Sequence, residues 1–312
     1  MRALSKPTNF NFLGIRRITG AMSILLVLAS LASLATQGLN FGIDFTGGVL
    51  VEVEYPGAAE LDSIRSQLSE GGFPGAVVQN FGAANDVLVR LMPQEDKSSA
   101  ELSEAILGVL RAADPGVELL RIEYVGPQVG EELTINGGLA LIWALGCIFL
   151  YIVLRFHWKF SAGAVLSLAH DVILTLGAFS LFRWDFDLAV LAALLAIIGY
   201  SLNDTIVVFD RCRENFRRKG EGNEVDTMNG AINEMLSRTL MTSMTTLLVV
   251  LALLFIGGEA LSGFATALAI GIVIGTYSST YVAGATSLAL GLKRQDLIPV
   301  EIADGDESGA RV

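Results

Sequence analysis

The sequence predicts a polytopic α-helical membrane protein of six transmembrane helices, with a ferredoxin-like α+β domain of βαββαβ order inserted after the first. Three observations predict it. Six apolar runs occupy 18–35, 133–154, 160–181, 188–209, 240–256 and 261–290, each near or above the ~20 residues that cross a ~30 Å hydrocarbon core at about 1.5 Å per residue. One long polar segment, 37–132, changes between strand and helix periods. Lys and Arg collect at alternate ends of the runs. Composition agrees, since 52% of the 312 residues are hydrophobic and 17% charged, too apolar for a single soluble core.

The bases set the order of segments. Arg2, Lys6, Arg16 and Arg17 precede the first run, Arg155 and Lys159 separate the second from the third, Arg211, Arg213, Arg217, Arg218 and Lys219 follow the fourth, and Lys293 and Arg294 follow the last. The intervening connections carry only Arg183 or no base. The positive-inside rule therefore places both termini in the cytoplasm. The expected division is a cytoplasmic N-terminus (1–17), a first helix (18–36), an extracytoplasmic domain (37–132), helices two to six (133–292) with a basic cytoplasmic loop over 210–237, and an acidic cytoplasmic tail (293–312), disordered from Glu301 on. The first run also has features of a secretory signal, with Ser33 and Ala35 suited to a peptidase, but it is long for a signal and further spans follow.

Within the outer segment, 49–55 alternates apolar and acidic residues, 58–69 is an amphipathic helix, and 76–81 and 86–91 form a hairpin across Gly82-Ala-Ala-Asn. A second helix over 98–113 opens at Ser98 or Ser99, and 117–124 is the last strand. Much of the formal charge of −11 lies in this segment, which excludes a nucleic-acid partner. It has no Cys or His, so no metal or nucleophile set stands out; its open edge could hold an extended polypeptide by strand addition. Cys147 in a span and Cys212 in the basic segment should lie far apart, with no disulfide.

The chemistry concentrates in the membrane. Asp204 sits within the fourth run beside Asn203, and an ionisable carboxyl in hydrocarbon costs roughly 2.5–3.5 kcal/mol, which makes a proton or ion site its first reading. In the third run Ser167, His170, Asp171 and Thr175 share one helical face, in the fourth Tyr200, Asn203, Asp204 and Val207 share another, and Arg238, Thr242, Thr245 and Thr246 open the fifth. His170 and Asp171 either handle protons or pair as interhelical glue, and Arg238 is either a functional partner or a snorkelling flank. A helix shift that brings Arg238 to Asp204 and withdraws it would make the carboxyl release and rebind a proton. One charge crossing the field is worth about 2.3 kcal/mol per 100 mV. No nucleotide-binding loop is visible in the sequence, and no cofactor is expected beyond protons as coupling ion. The last run carries Gly263, Ala267, Gly271, Gly275 and Ser279 at every fourth position, a close-packing face toward another helix or another subunit.

The motifs FGIDFTGG (41–48), VGPQVGEEL (125–133), His170-Asp171, GYSLNDTIVVFDR (199–211) and SRTLMTSMTTL (237–247) together resemble the SecF family, the smaller membrane subunits of the protein-export pair SecD and SecF within the resistance–nodulation–division superfamily. The resemblance runs from the first span to about Leu292. It implies a non-enzymatic subunit that works with SecD beside the SecYEG translocon, with YajC and a membrane insertase as further partners, and uses the proton motive force to draw exported polypeptide outward. It places the family's membrane aspartate on Asp204 and its arginine on Arg238. Gly42, Asp44, Gly47, Gly48, Gly126, Pro127 and Gly130 then mark the junction of helix and outer domain.

Two other classes of function fit the residues. Asp171 and Asp204 on successive spans could form the dyad of an intramembrane aspartyl protease. Alternatively, the chain is a passive docking subunit whose polar stripes are structural glue.

Overall fold

The computed structural model describes residues 8–93, 99–218 and 223–296. Six helices in it are long and apolar enough to cross a membrane: α1 (Arg16–Gln37), α5 (Pro127–Arg155), α6 (Trp158–Phe182), α7 (Leu188–Arg218), α8 (Glu224–Ile256) and α9 (Ser262–Ala289). Between α1 and α5 lie β1 (Asn40–Phe41), the single turn α2 (Ile43–Thr46), β2 (Gly48–Glu54), α3 (Leu61–Glu70), β3 (Val77–Phe81), β4 (Ala83–Leu91), α4 (Ser99–Ala113) and β5 (Glu118–Val125). A two-residue β6 (Asp185–Phe186) precedes α7.

The four longer strands form an antiparallel sheet of order β3-β4-β2-β5, the ferredoxin-like arrangement. Val49, Val51 and Val53 of β2 alternate with acids and bury against Ile64 and Leu68 of α3 and Leu102, Ile106 and Leu110 of α4. One face of the sheet is thus covered by both helices, and burial of these aliphatics at roughly 1.5–3 kcal/mol each supplies the domain's cohesion. The other face turns toward the helix bundle.

In the bundle α6, α7 and α9 are central, while α1, α5 and α8 have mostly exposed flanks. The small-residue face of α9 is internal. Gly271 lies where a Cβ would collide with Ile197, a Cβ on Gly275 would come within 3.1 Å of Ser201 Cβ, and one on Gly263 within 3.1 Å of Val190, all on α7. Small residues thereby let the two backbones approach as packing in lipid requires.

Several expected boundaries differ. The basic loop expected over 210–237 is largely helical: α7 continues to Arg218 and α8 begins at Glu224, capped by Asn223. Charge pairs hold these extensions: Arg211 binds Glu214 one turn on and Glu234 across on α8, Arg218 reaches Glu214 at 2.8 Å, and Asn215 reaches Glu234 at 3.2 Å. Such pairs support polar helix where no apolar run signals it. α5 starts at Pro127, six residues before its apolar run, because proline suits the first helical position. α3 starts three residues later than expected, and the hairpin turns tightly at Gly82, with Phe81 opposite Ala83. The acidic tail beyond Asp296, Lys219 of the basic segment and Ser98 as a helix opener lie outside the described residues.

Candidate functional site

α6 and α7 cross the bundle side by side, and each brings a carboxyl into its interior. Asp171 on α6 is 1% exposed and Asp204 on α7 4%. Their surroundings differ. Asp171 Oδ2 accepts hydrogen bonds from Ser201 Oγ of α7 at 2.5 Å and Ser278 Oγ of α9 at 2.8 Å, and its Oδ1 lies 3.0 Å from His170 Nδ1. His170 stacks on Tyr277 of α9, whose hydroxyl donates to Thr19 O of α1 at 2.9 Å and meets Ser23 Oγ at 3.0 Å. One carboxylate thus ties α6, α7 and α9 together, and its neighbours extend the network to α1. His170 Nε2 and Ser167 Oγ, one turn apart on α6, are buried without hydrogen-bond partners among the described residues.

Asp204 Oδ2, by contrast, is buried with no hydrogen-bond partner among the described residues. An unmatched carboxyl oxygen in such a place is costly and calls for an account. Across from it stands α8, where Arg238 acts on Asp204 through space but is itself exposed. One turn before Asp204 on α7, Tyr200 donates to Ser243 Oγ of α8 at 3.3 Å, and Ser243 shares a 2.8 Å hydrogen bond with Thr276 of α9. Asn203, expected beside Asp204 on the interior face, is on the outer surface of α7. The threonines of α8 bond backbone carbonyls of their own helix: Thr242 to Thr239 O at 2.9 Å and Thr246 to Thr242 O at 2.9 Å, the usual behaviour of hydroxyls in helices.

The glycine motifs sit where the sheet domain joins the bundle. Gly42 N–H donates to Phe186 O at 2.9 Å and opens α2. Gly47 (φ 70°) and Gly48 (φ 129°) have backbone angles that favour glycine. A Cβ on Gly47 would stand 3.0 Å from Pro127 Cα, one on Gly130 2.8 Å from Gly47 N, and one on Gly48 would collide with Leu91 O. Gly126 precedes α5 as its cap. Asp44 Oδ2 accepts from Leu188 N–H at 3.0 Å, and Asp187 Oδ1 from Val190 N–H at 2.8 Å, so two carboxylates cap the start of α7. Burial pushes the Asp187 carboxyl up, the Val190 N–H opposes this, and the neighbouring Asp44 and Asp185 carboxylates reinforce it. β6 and the role of Asp185 gave no sequence signal, since a two-residue strand has no periodicity. Ser201 and Ser278 were missed too, because a hydroxyl in a span is more often a packing residue than a carboxylate ligand.

Six apolar helices, an α+β domain inserted after the first, and ionisable residues turned into the bundle define a multi-pass membrane protein with the intramembrane polar interior characteristic of transport systems. The model of the SecD/SecF protein export membrane protein C-terminal region matches residues 106–293, and that of the SecD/SecF GG motif matches 32–55. The protein translocase subunit SecF of Vibrio alginolyticus is 49% identical over 96% of this chain and 95% of its own length, and that of Pseudomonas aeruginosa 51% identical over 96% and 97%. Among solved structures, SecDF of Thermus thermophilus superimposes with a TM-score of 0.84 at 40% identity, and SecDF in its super-membrane-facing form with 0.68 at 41%. These cover 93% and 91% of this chain but only 39% of the SecDF chains. The chain belongs to the SecD/SecF family of protein-export membrane proteins, and the relatives it matches over nearly their full length are SecF translocase subunits.

Proposed function

We propose that this chain is the SecF half of a proton-driven export device in the bacterial inner membrane. It pairs with a separate SecD to complete the two-half assembly that the fused SecDF relatives carry in one chain. Asp204 is the carboxyl that takes up and releases protons, and Arg238 on α8 is the charge whose approach or withdrawal decides which state it holds. The observation that carries this is the unpartnered, buried Asp204 Oδ2, facing a helix whose arginine forms no ion pair with it. The SecYEG translocon is the natural neighbour of such a pair, with YajC and an insertase as further partners and exported polypeptide as the load. The basic helix ends support a topology with both termini in the cytoplasm and the sheet domain outside.

Asp171 and His170 serve the same device by holding α6, α7 and α9 in register. Because Asp171 is occupied by Ser201, Ser278 and His170, it does not share a proton with Asp204 in a protease-like dyad. The test is export driven by a proton gradient in vesicles containing the matching SecD and translocon. The native chain should show a gradient-dependent component that Asp204→Asn abolishes while the complex still assembles. Survival of that component in Asp204→Asn would favour a passive docking subunit.

A further inference from the structure

We propose that Asp185 is the positioning residue through which movement of α7 reaches the sheet domain. The inference rests on the proton-coupling reading of Asp204 and adds the path by which its effect leaves the membrane. The sheet domain is joined covalently to the bundle at the start of β2 and the end of β5. The chain enters at Gly47–Gly48 and leaves at Gly126–Pro127, Gly48 pairs with Val125 across the sheet, and a Cβ on Gly47 would lie 3.0 Å from Pro127 Cα. Two adjacent connections with glycine at both define a single hinge line.

Next to that hinge, where Gly48 lies against Leu91 and Leu50 pairs with Arg90, strands β4 and β3 meet one carboxylate. Gln79 Nε2 donates to Asp185 Oδ2 at 2.8 Å, and Arg90 Nη1 stands 3.6 Å from Asp185 Oδ1. Arg90 also donates to Phe41 O at 2.9 Å and to Asn40 Oδ1 at 3.2 Å, and Asn40 in turn donates to Asp185. The Arg90 side chain is 15% exposed and that of Asp185 31%, so water screens the pair less than a surface ion pair. A cavity of about 660 Å³, which Gln79, Arg90 and Asp185 also line, lies between Leu50, Leu88 and Arg121 of the sheet and Asp187, Trp184 and Thr266 of the bundle. A domain joined through two glycine connections, held through one carboxylate and facing the bundle across a cavity can rock without breaking an apolar core.

Asp185 lies in the short connection from α6 to α7. β6 pairs with β1 in parallel, and Asp44 and Asp187 fix the first turn of α7 to the same junction. α7 then runs without a break from Leu188 through Asp204 to Arg218. A shift of this helix at Asp204 therefore displaces Asp185, and with it Gln79 and Arg90. The two SecDF structures, matched over nearly the same share of this chain at nearly the same identity, differ in their fit to it, with TM-scores of 0.84 and 0.68.

The experiment uses the full chain assembled with SecD and the translocon in vesicles. Spin labels on Ala84→Cys and Ala260→Cys, both exposed, report the distance between the sheet domain and the α8–α9 turn, alongside gradient-driven export. The native complex should show a distance distribution that changes when Asp204→Asn is introduced. Asp185→Ala should assemble, lower gradient-driven export at least about tenfold, and give a distribution that no longer responds to Asp204→Asn. Asp185→Asn, which keeps an oxygen for Gln79 but loses the charge facing Arg90, should fall between. Native export in Asp185→Ala, or a distribution that still follows Asp204→Asn in that background, overturns the role of Asp185 alone. Native export in Asp204→Asn overturns the coupling reading and this inference with it.

Discussion

Asp171 and Asp204 are carboxyls buried to nearly the same degree on neighbouring helices of one bundle, and the fold treats them in opposite ways. Around Asp171, Ser201, Ser278 and His170 supply donors or a pairing ring from three helices. Asp204 Oδ2, by contrast, has no hydrogen-bond partner among the described residues. A carboxylate with every partner in place resists change, because any movement leaves several buried groups unmatched. One with an unmatched oxygen has two states closer in energy. The contrast separates the residue that ties the helices together from the residue we propose as the moving one, a distinction invisible in a count of membrane aspartates.

The contrast is broken most directly by removing each carboxyl in turn. Asp171→Leu should lower the stability of the purified protein by about 3–5 kcal/mol, since it strands the Ser201 hydroxyl and the His170 ring and takes one partner from Ser278, as measured by thermal denaturation in detergent. Asp204→Leu should leave stability unchanged or slightly raised, because it deletes a group with an unmet hydrogen bond. Equal losses would mean that Asp204 has partners of comparable strength.

A smaller effect sharpens the Asp171 side. Gly275→Ala places a methyl 3.1 Å from Ser201 Cβ and 3.6 Å from Asp171 Oδ2. It should push α9 from α7 at a cost of about 1–3 kcal/mol. Ser278→Ala removes a single donor to Asp171 and should cost about 1 kcal/mol. If the two substitutions are combined, their effects should fall short of additivity, because both loosen the same carboxylate; strict additivity in a double-mutant cycle would deny that they share it.

The smallest expected effect lies at the junction. Asp187 is raised by burial and by like charges, with its Val190 cap opposing, so its ionised form costs the folded state. That cost is present at neutral pH and is relieved as the pH falls through the raised carboxyl range. Asp187→Asn keeps an oxygen for Val190 N–H and should not lower the melting temperature at neutral pH. Its difference from the native chain should shrink on acidification. A marked loss at neutral pH would mean that the charge itself anchors α7.

Much of this was legible in the chain. The period-two alternation at 49–55 located β2 to the residue or so, and the βαββαβ order followed from periodicity and turn chemistry. Asp204, Asp171 and His170 stood out because charge inside an apolar run is costly. What was not legible depends on contacts remote in sequence. The helical extensions of α7 and α8 are held by Arg211 and Asn215 on Glu234, and β1 meets β6 across 145 residues through Asn40 and Asp185. Whether Asp171 or Asp204 finds partners is decided by where Ser201 and Ser278 land, and Asn203 differs in exposure from its neighbour because successive helical residues point about 100° apart.

The central claim is that Asp204 changes protonation during the cycle while Asp171 does not. Infrared difference spectroscopy on the complex with SecD, stepped between high and low pH across the membrane, would read this directly from the carboxylic acid carbonyl band. The account predicts a protonation band that disappears in Asp204→Asn and persists in Asp171→Asn. A band that survives in Asp204→Asn and vanishes in Asp171→Asn would contradict it.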